Sequence, residues 1–193
     1  MSRKPKLNLK KILYLNSGYY TSILASKIPE YVDYVCNTET IDYNNFYNAK
    51  RQIIDHVLDE DICIIVAEGI GAYCSLFVSN ESLQDGQNII SRILINPILV
   101  PSTDLNEIGK DENVINTYKT LENYASKQRY LDTRHTFCIF TKDNMFTEKY
   151  AHIFKNNMNI PTIIIDKIDD NFIQNELKQY IDTFALSKEI IVK

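Results

Sequence analysis

The 193-residue chain has no tryptophan, three histidines, four cysteines and five glycines, and no long apolar run. Each shortage excludes something. A membrane-spanning helix needs about 18 or more consecutive apolar residues, and none of the apolar stretches approaches that. The basic N-terminal segment MSRKPKLNLKK is followed only by ILYL, too short for the core of a secretion signal. These two features predict a cytoplasmic protein with no membrane partner. The cysteines form no CxxC pair: Cys36, Cys63 and Cys138 fall in strand-like runs and Cys74 in a helix-like one. They read as buried free thiols, not as metal ligands or disulfides. The formal net charge is −4, so there is no basic surplus to hold nucleic acid. With so few glycines, the pair Gly69 and Gly71 stands without the third glycine of a dinucleotide fingerprint, and no GK[ST] marks a phosphate loop. No cofactor or metal is implied.

What is present is an alternation of apolar runs and helical patterns. Strands are predicted at 11–15, 31–36, 62–67, 92–97, 136–141 and 161–166. Helices are predicted at 19–29, 46–59, 70–83, 112–129, 147–157 and 172–186. ICIIVA (62–67) has no polar alternation, as expected of a central parallel strand buried on both faces. About six β-α repeats imply one α/β domain over 1–193: a mostly parallel sheet with helices on both faces, a basic tail at 1–10 and a β-prone tail at 187–193. Thirteen tyrosines mostly suit the core or its edge, though tyrosine also enriches binding surfaces.

Ligands of such sheets bind beyond the carboxyl ends of the strands. The stretches to inspect are therefore 16–18, 68–71, 96–101, 142–145 and 167–171. The sharpest is the turn after 62–67. A nucleophile elbow reads G-x-S-x-G between strand and helix; here the same frame reads Ala67, Glu68, Gly69, Ile70, Gly71. Ala67 and Gly71 are small enough for close packing, and glycine at the nucleophile position suits the positive φ imposed there. The frame predicts an elbow with its nucleophile removed. Glu68 reads as a solvated or a helix-start carboxylate, where the dipole favours it, and not as a general base.

On these residues the chain resembles the small bacterial α/β-hydrolase-like proteins typified by YcfP and YqiA. The first strand runs into Tyr14-Leu15-Asn16-Ser17-Gly18, where the family has a His-Gly loop. The elbow is AEGIGAYCS (67–75), and ILINPILVP (93–101) carries the family's NP…P as Asn96, Pro97 and Pro101. TKDNMF (141–146) supplies the acid-loop aspartate, Asp143, and DDNF (169–172) puts Asp170 where the family has its histidine. The YcfP branch shares glycine at the nucleophile position. The resemblance implies a three-layer α/β-hydrolase-like fold. It also implies triad-equivalent positions Gly69, Asp143 and Asp170, of which only the acid is of the expected type. His56 and His152 fall in helical patterns and His135 before a strand, so none replaces the base. Asn16, Ser17, Gly18, Glu68, Ile70 and Asn96 are the implied pocket and oxyanion-loop residues. Asp143 suits a loop-capping acid, or faces Asp170 as a carboxylate pair.

Three functions fit. The leading one is an inactive hydrolase-like protein that binds a small ligand or a protein partner. The second is an esterase or thioesterase with a relocated nucleophile, Ser17 first, since Cys74 and Ser75 point away from the elbow apex. The third is a homo-oligomer joined through the C-terminal tail.

Overall fold

A computed structural model describes residues 11–31, 35–39, 41–59, 62–78, 90–125 and 133–187. Six strands form one sheet: β1 Lys11–Leu15, β2 Val35–Glu39, β3 Ile62–Glu68, β4 Ser91–Ile95, β5 Thr136–Thr141 and β6 Thr162–Ile165. Every pairing is parallel, and the spatial order is β2-β1-β3-β4-β5-β6. The winding reverses between β1 and β3. A crevice opens at such a switch point, where the two flanking loops leave in opposite directions.

Residues of β3 alternate between two cores, as the period of a strand requires. Ile65 and Ala67 join one cluster with Phe46 and Ile53 of α2 (Phe46–Asp59), Tyr73 of α3 (Gly69–Ser75), Tyr118 of α5 (Glu112–Ala125) and Tyr150 of α6 (Thr147–His152). Ile64 and Val66 join the other, with Leu24 and Ile28 of α1 (Leu24–Tyr31), Phe172 of α7 (Asp170–Phe172) and Ile181 of α8 (Lys178–Ser187). Helices thus cover both faces, giving the three-layer α/β architecture. One helix that the periodicity did not predict is α4, Pro101–Glu107, with Pro101 at its first turn, where proline is pre-organised and its missing N–H costs nothing.

Some predicted boundaries move. Pro29 was expected to end the first helix but lies inside α1, which runs on to Tyr31. Proline removes one hydrogen bond, and the helix ends within a turn of it. The following strand therefore begins at Val35, not Tyr31. The last two helices each contain a π turn, Ile153–Asn157 after α6 and Ile173–Leu177 between α7 and α8.

Arg92 is fully buried in β4. Its Nε donates to the Ser75 carbonyl at 3.0 Å and its Nη2 donates to the Val78 carbonyl. A cation at the carbonyl end of α3 and its following turn suits the local dipole, and it pins the elbow helix to the neighbouring strand. Cys74 and Cys138 are buried free thiols and Cys63 is half-buried; burial pushes the Cys74 thiol up to about 12. No helix among the described residues is long and apolar enough to cross a membrane. The basic segment 1–10 and all of the C-terminal tail beyond Ser187 lie outside the described residues.

Candidate functional site

A cleft of about 440 Å³ opens at the carboxyl ends of the strands. Five loops build it: Tyr19–Ile23 after β1, Glu68 at the end of β3, Asn96 after β4, Thr141 with Asp143–Met145 after β5, and Lys167 with Ile168 after β6. The Tyr19–Ser22 segment is a wall, because a second cavity, of about 520 Å³, lies against it and reaches Tyr14, Asn16, Gly18 and Ala25.

The elbow has the predicted backbone. Gly69 has φ +50°, in the left-handed region where glycine is at ease. Gly71 is required by close approach: a Cβ there would lie 2.6 Å from the Asn16 carbonyl oxygen and 2.6 Å from the Tyr43 hydroxyl. The nucleophile slot, however, is filled. A Cβ on Gly69 would lie 2.6 Å from Tyr19 Cε1 and 2.9 Å from the Ser17 carbonyl oxygen. The N–H of the residue after the nucleophile, which an active elbow offers to an oxyanion, is also taken: Ile70 N donates to the Ser17 carbonyl at 3.0 Å. Ile70 itself is wholly buried in the core.

Ser17, the candidate relocated nucleophile, is fully buried and outside the cleft lining. Its hydroxyl donates to the Tyr20 carbonyl at 2.6 Å and accepts from the N–H groups of Tyr20 at 2.9 Å and Tyr19 at 3.3 Å. It organises a turn, as serine hydroxyls do. Asn16 does the same one step earlier, its Oδ1 accepting from Gly18 N at 3.1 Å, and Gly18 has φ +76°. Ser17→Ala should lower stability by about 1 kcal/mol, the typical worth of such a bond, and leave every esterase or probe-labelling readout unchanged; urea denaturation and probe labelling check both.

Glu68 stands at the start of α3 as expected, in the N-cap position, but it is not solvated: its exposure is 0 % and its side chain makes no cap bond to the helix. Tyr14 donates to its Oε2, and Tyr20 donates to its Oε1 at 3.0 Å. Burial pushes the carboxyl above the usual carboxylate range, opposed by the hydroxyls of Tyr14, Ser22 and Tyr20. The neighbouring phenols are pushed up too: Tyr19 to about 12 by burial, and Tyr20 further by burial and the Glu68 charge. Asn96 lines the cleft with φ +46°. It ties β4 to β5, since its Nδ2 donates to Thr141 Oγ1 at 3.1 Å and its Oδ1 accepts from Thr141 N at 2.8 Å.

The acid and base positions separate. Asp143 lines the cleft mouth and is exposed, but it does not cap the loop: Asn144 Oδ1 accepts from Phe146 N at 2.9 Å instead. Asp170 is not in the cleft. It is exposed on the first turn of α7 and lies 3.8 Å from Lys27, so the expected carboxylate pair does not form. The last loop enters the cleft two residues earlier, at Lys167 and Ile168, because Asp169 turns the chain into α7 by accepting from Phe172 N at 2.9 Å. None of the three histidines lines the cleft. Among the described residues no three His, Cys, Asp or Glu side chains gather as a metal site. The motifs missed Tyr19, Tyr20, Ser22 and Thr141; the tyrosine doublet directly after the Asn16–Gly18 turn was the available signal.

No family model and no curated protein matches the sequence. Among solved structures, the chain is similar to AqDC in complex with its product, described as the structural basis for recognition and ring-cleavage of the Pseudomonas quinolone signal. The TM-score is 0.52 and the identity 8%, over 92% of this chain and 91% of that one. At that identity the likeness establishes a shared fold.

Proposed function

We propose that this chain is a non-hydrolytic relative of the YcfP and YqiA group and works by binding a small molecule in the cleft. The observation that carries the reading is the Tyr19 ring at the place where a residue-69 side chain would stand. The Ser17 carbonyl on Ile70 N supports it, since acyl transfer needs both a nucleophile and free oxyanion donors. The missing base is the third support. A concave site with a polar floor favours a small ligand over a protein surface. Ser17 is a poor nucleophile candidate, its hydroxyl being buried and committed to the turn.

The test is to treat the purified protein with a fluorophosphonate serine probe and a panel of short acyl esters and thioesters. The expected result is no adduct and no turnover above buffer. A stoichiometric adduct on a cleft side chain, with turnover abolished by its substitution, overturns the reading.

A further inference from the structure

Resting on that binding reading, we propose that the cleft takes a small primary amine with an apolar body, its ammonium set against Glu68 beside the Tyr19 and Tyr20 rings.

Glu68 is a fully buried acid at the floor of the cleft. Buried carboxylates in proteins are normally paired with a cation or a metal. No lysine or arginine among the described residues pairs with Glu68; its partners are hydroxyls, the phenols of Tyr14 and Tyr20, one on each oxygen, and Ser22. A carboxylate offers about four acceptor positions, so three hydroxyl partners leave one unused, and Glu68 is among the residues that line the cleft. The surroundings supply hydroxyl dipoles for a negative charge but not the counter-charge. A ligand N–H₃⁺ would supply it.

The rest of the cleft agrees. Lys167 is at the mouth, but its ammonium lies 3.6 Å from Asp169. Asp143, also at the mouth, forms no ion pair with any described residue, so the balance in the cleft is negative. Tyr19 and Tyr20 pack edge to face, with ring centroids 4.9 Å apart, and phenol rings beside a carboxylate favour an alkylammonium. The apolar body has a place too. Among the described residues six large hydrophobics are exposed, and two of them, Ile23 at 42 % and Met145 at 57 %, line this cleft, next to Ile168. A carboxylate ligand of the same shape would meet Glu68 and Asp143 instead.

The test is calorimetric titration with three probes of equal chain, hexylamine, hexanol and hexanoate, against wild type, Glu68→Gln and Asp143→Asn. Hexylamine is expected to bind tightest. Glu68→Gln keeps the shape and should weaken it roughly tenfold or more, as loss of a charge-assisted contact does; the exposed Asp143→Asn should weaken it only about two- to threefold. Wild-type affinity for the amine should rise with pH through the range where Glu68 ionises and then level, because an ammonium binds the carboxylate and displaces its proton. The other titratable groups around it are the phenols of Tyr14, Tyr19, Tyr20 and Tyr43 and, at the mouth, Asp143 and Lys167. Should Glu68→Gln not fold, the wild-type pH profile decides: rising supports the proposal, flat overturns it. Hexanoate or hexanol binding as tightly as the amine, or no binding of any probe at millimolar concentration, also overturns it. Ester turnover with amine binding intact would instead strike the non-hydrolytic reading alone.

Discussion

Gly69→Ser should destabilise the protein by about 2–4 kcal/mol and bring no esterase activity. The motif alone suggests the opposite, that one substitution restores a nucleophile. Two separate penalties oppose it. A non-glycine residue at φ +50° costs roughly 1–2 kcal/mol. The new Cβ would also stand 2.6 Å from Tyr19 Cε1 and 2.9 Å from the Ser17 carbonyl oxygen. The ring can swing, but the carbonyl is held by Ile70 N and moves only if that bond is broken. Adding Tyr19→Ala would relieve the ring contact and recover part of the stability. It would still leave the serine without a base, since Asp170 lies outside the cleft beside Lys27 and no histidine lines it. Urea midpoints of the single and double variants, with ester turnover measured on both, check the two parts. A Gly69→Ser variant as stable as wild type would mean that Tyr19 leaves the slot freely, and esterase activity would mean that another side chain serves as the base.

The elements that the sequence made legible are those in which one force dominates. KILYL, TFCIFT and the 46–59 helix fall where periodicity put them, at Lys11–Leu15, Thr136–Thr141 and Phe46–Asp59, because burial alone dictates their patterns. The elbow was legible for a different reason: positive φ and close approach admit almost nothing but glycine, so Gly69 and Gly71 announce backbone geometry directly. Glu68 was misread because a carboxylate at a helix start has an ordinary surface explanation. Its burial depends on Tyr14, 54 positions away in sequence, and on Tyr20, 48 away, and no local pattern encodes such partners. Asp170 was misplaced because carrying a motif position onto this chain assumed the same loop path. Here Asp169 starts α7 and the cleft takes Lys167 instead.

Long-range partners likewise hide Asp104 from the sequence, and its replacement by alanine should be strongly destabilising. Asp104 is fully buried on the first turn of α4. Its Oδ2 accepts from Leu99 N at 3.1 Å and Val100 N at 2.9 Å, the N–H groups of the helix N-cap and of the residue before it. Tyr150 Oη lies 2.6 and 2.8 Å from its two oxygens, and Lys149 Nζ lies 2.8 Å from Oδ1. One carboxylate therefore ties α4 to α6. Alanine would strand two backbone donors and a phenol in the interior, at about 3–5 kcal/mol, a large share of the roughly 5–15 kcal/mol that holds a typical domain. Asparagine should cost less, about 2–3 kcal/mol, because one of its two ends still accepts while its amide opposes the remaining donors. Lys149→Ala should cost at most about 1 kcal/mol, since that ammonium is on a 38 % exposed side chain and screened by water. The order Ala, Asn, then Lys149→Ala in urea midpoints is the test, and equal losses at Asp104 and Lys149 would mean that the ion pair, not the buried hydrogen bonds, holds the helices. The effect should also reach the cleft. α6 starts at Thr147, directly after the Asp143–Met145 loop. Loosening it in Asp104→Asn should raise amide hydrogen exchange at 143–150 and weaken the proposed binding of hexylamine, although Asp104 does not itself line the cleft.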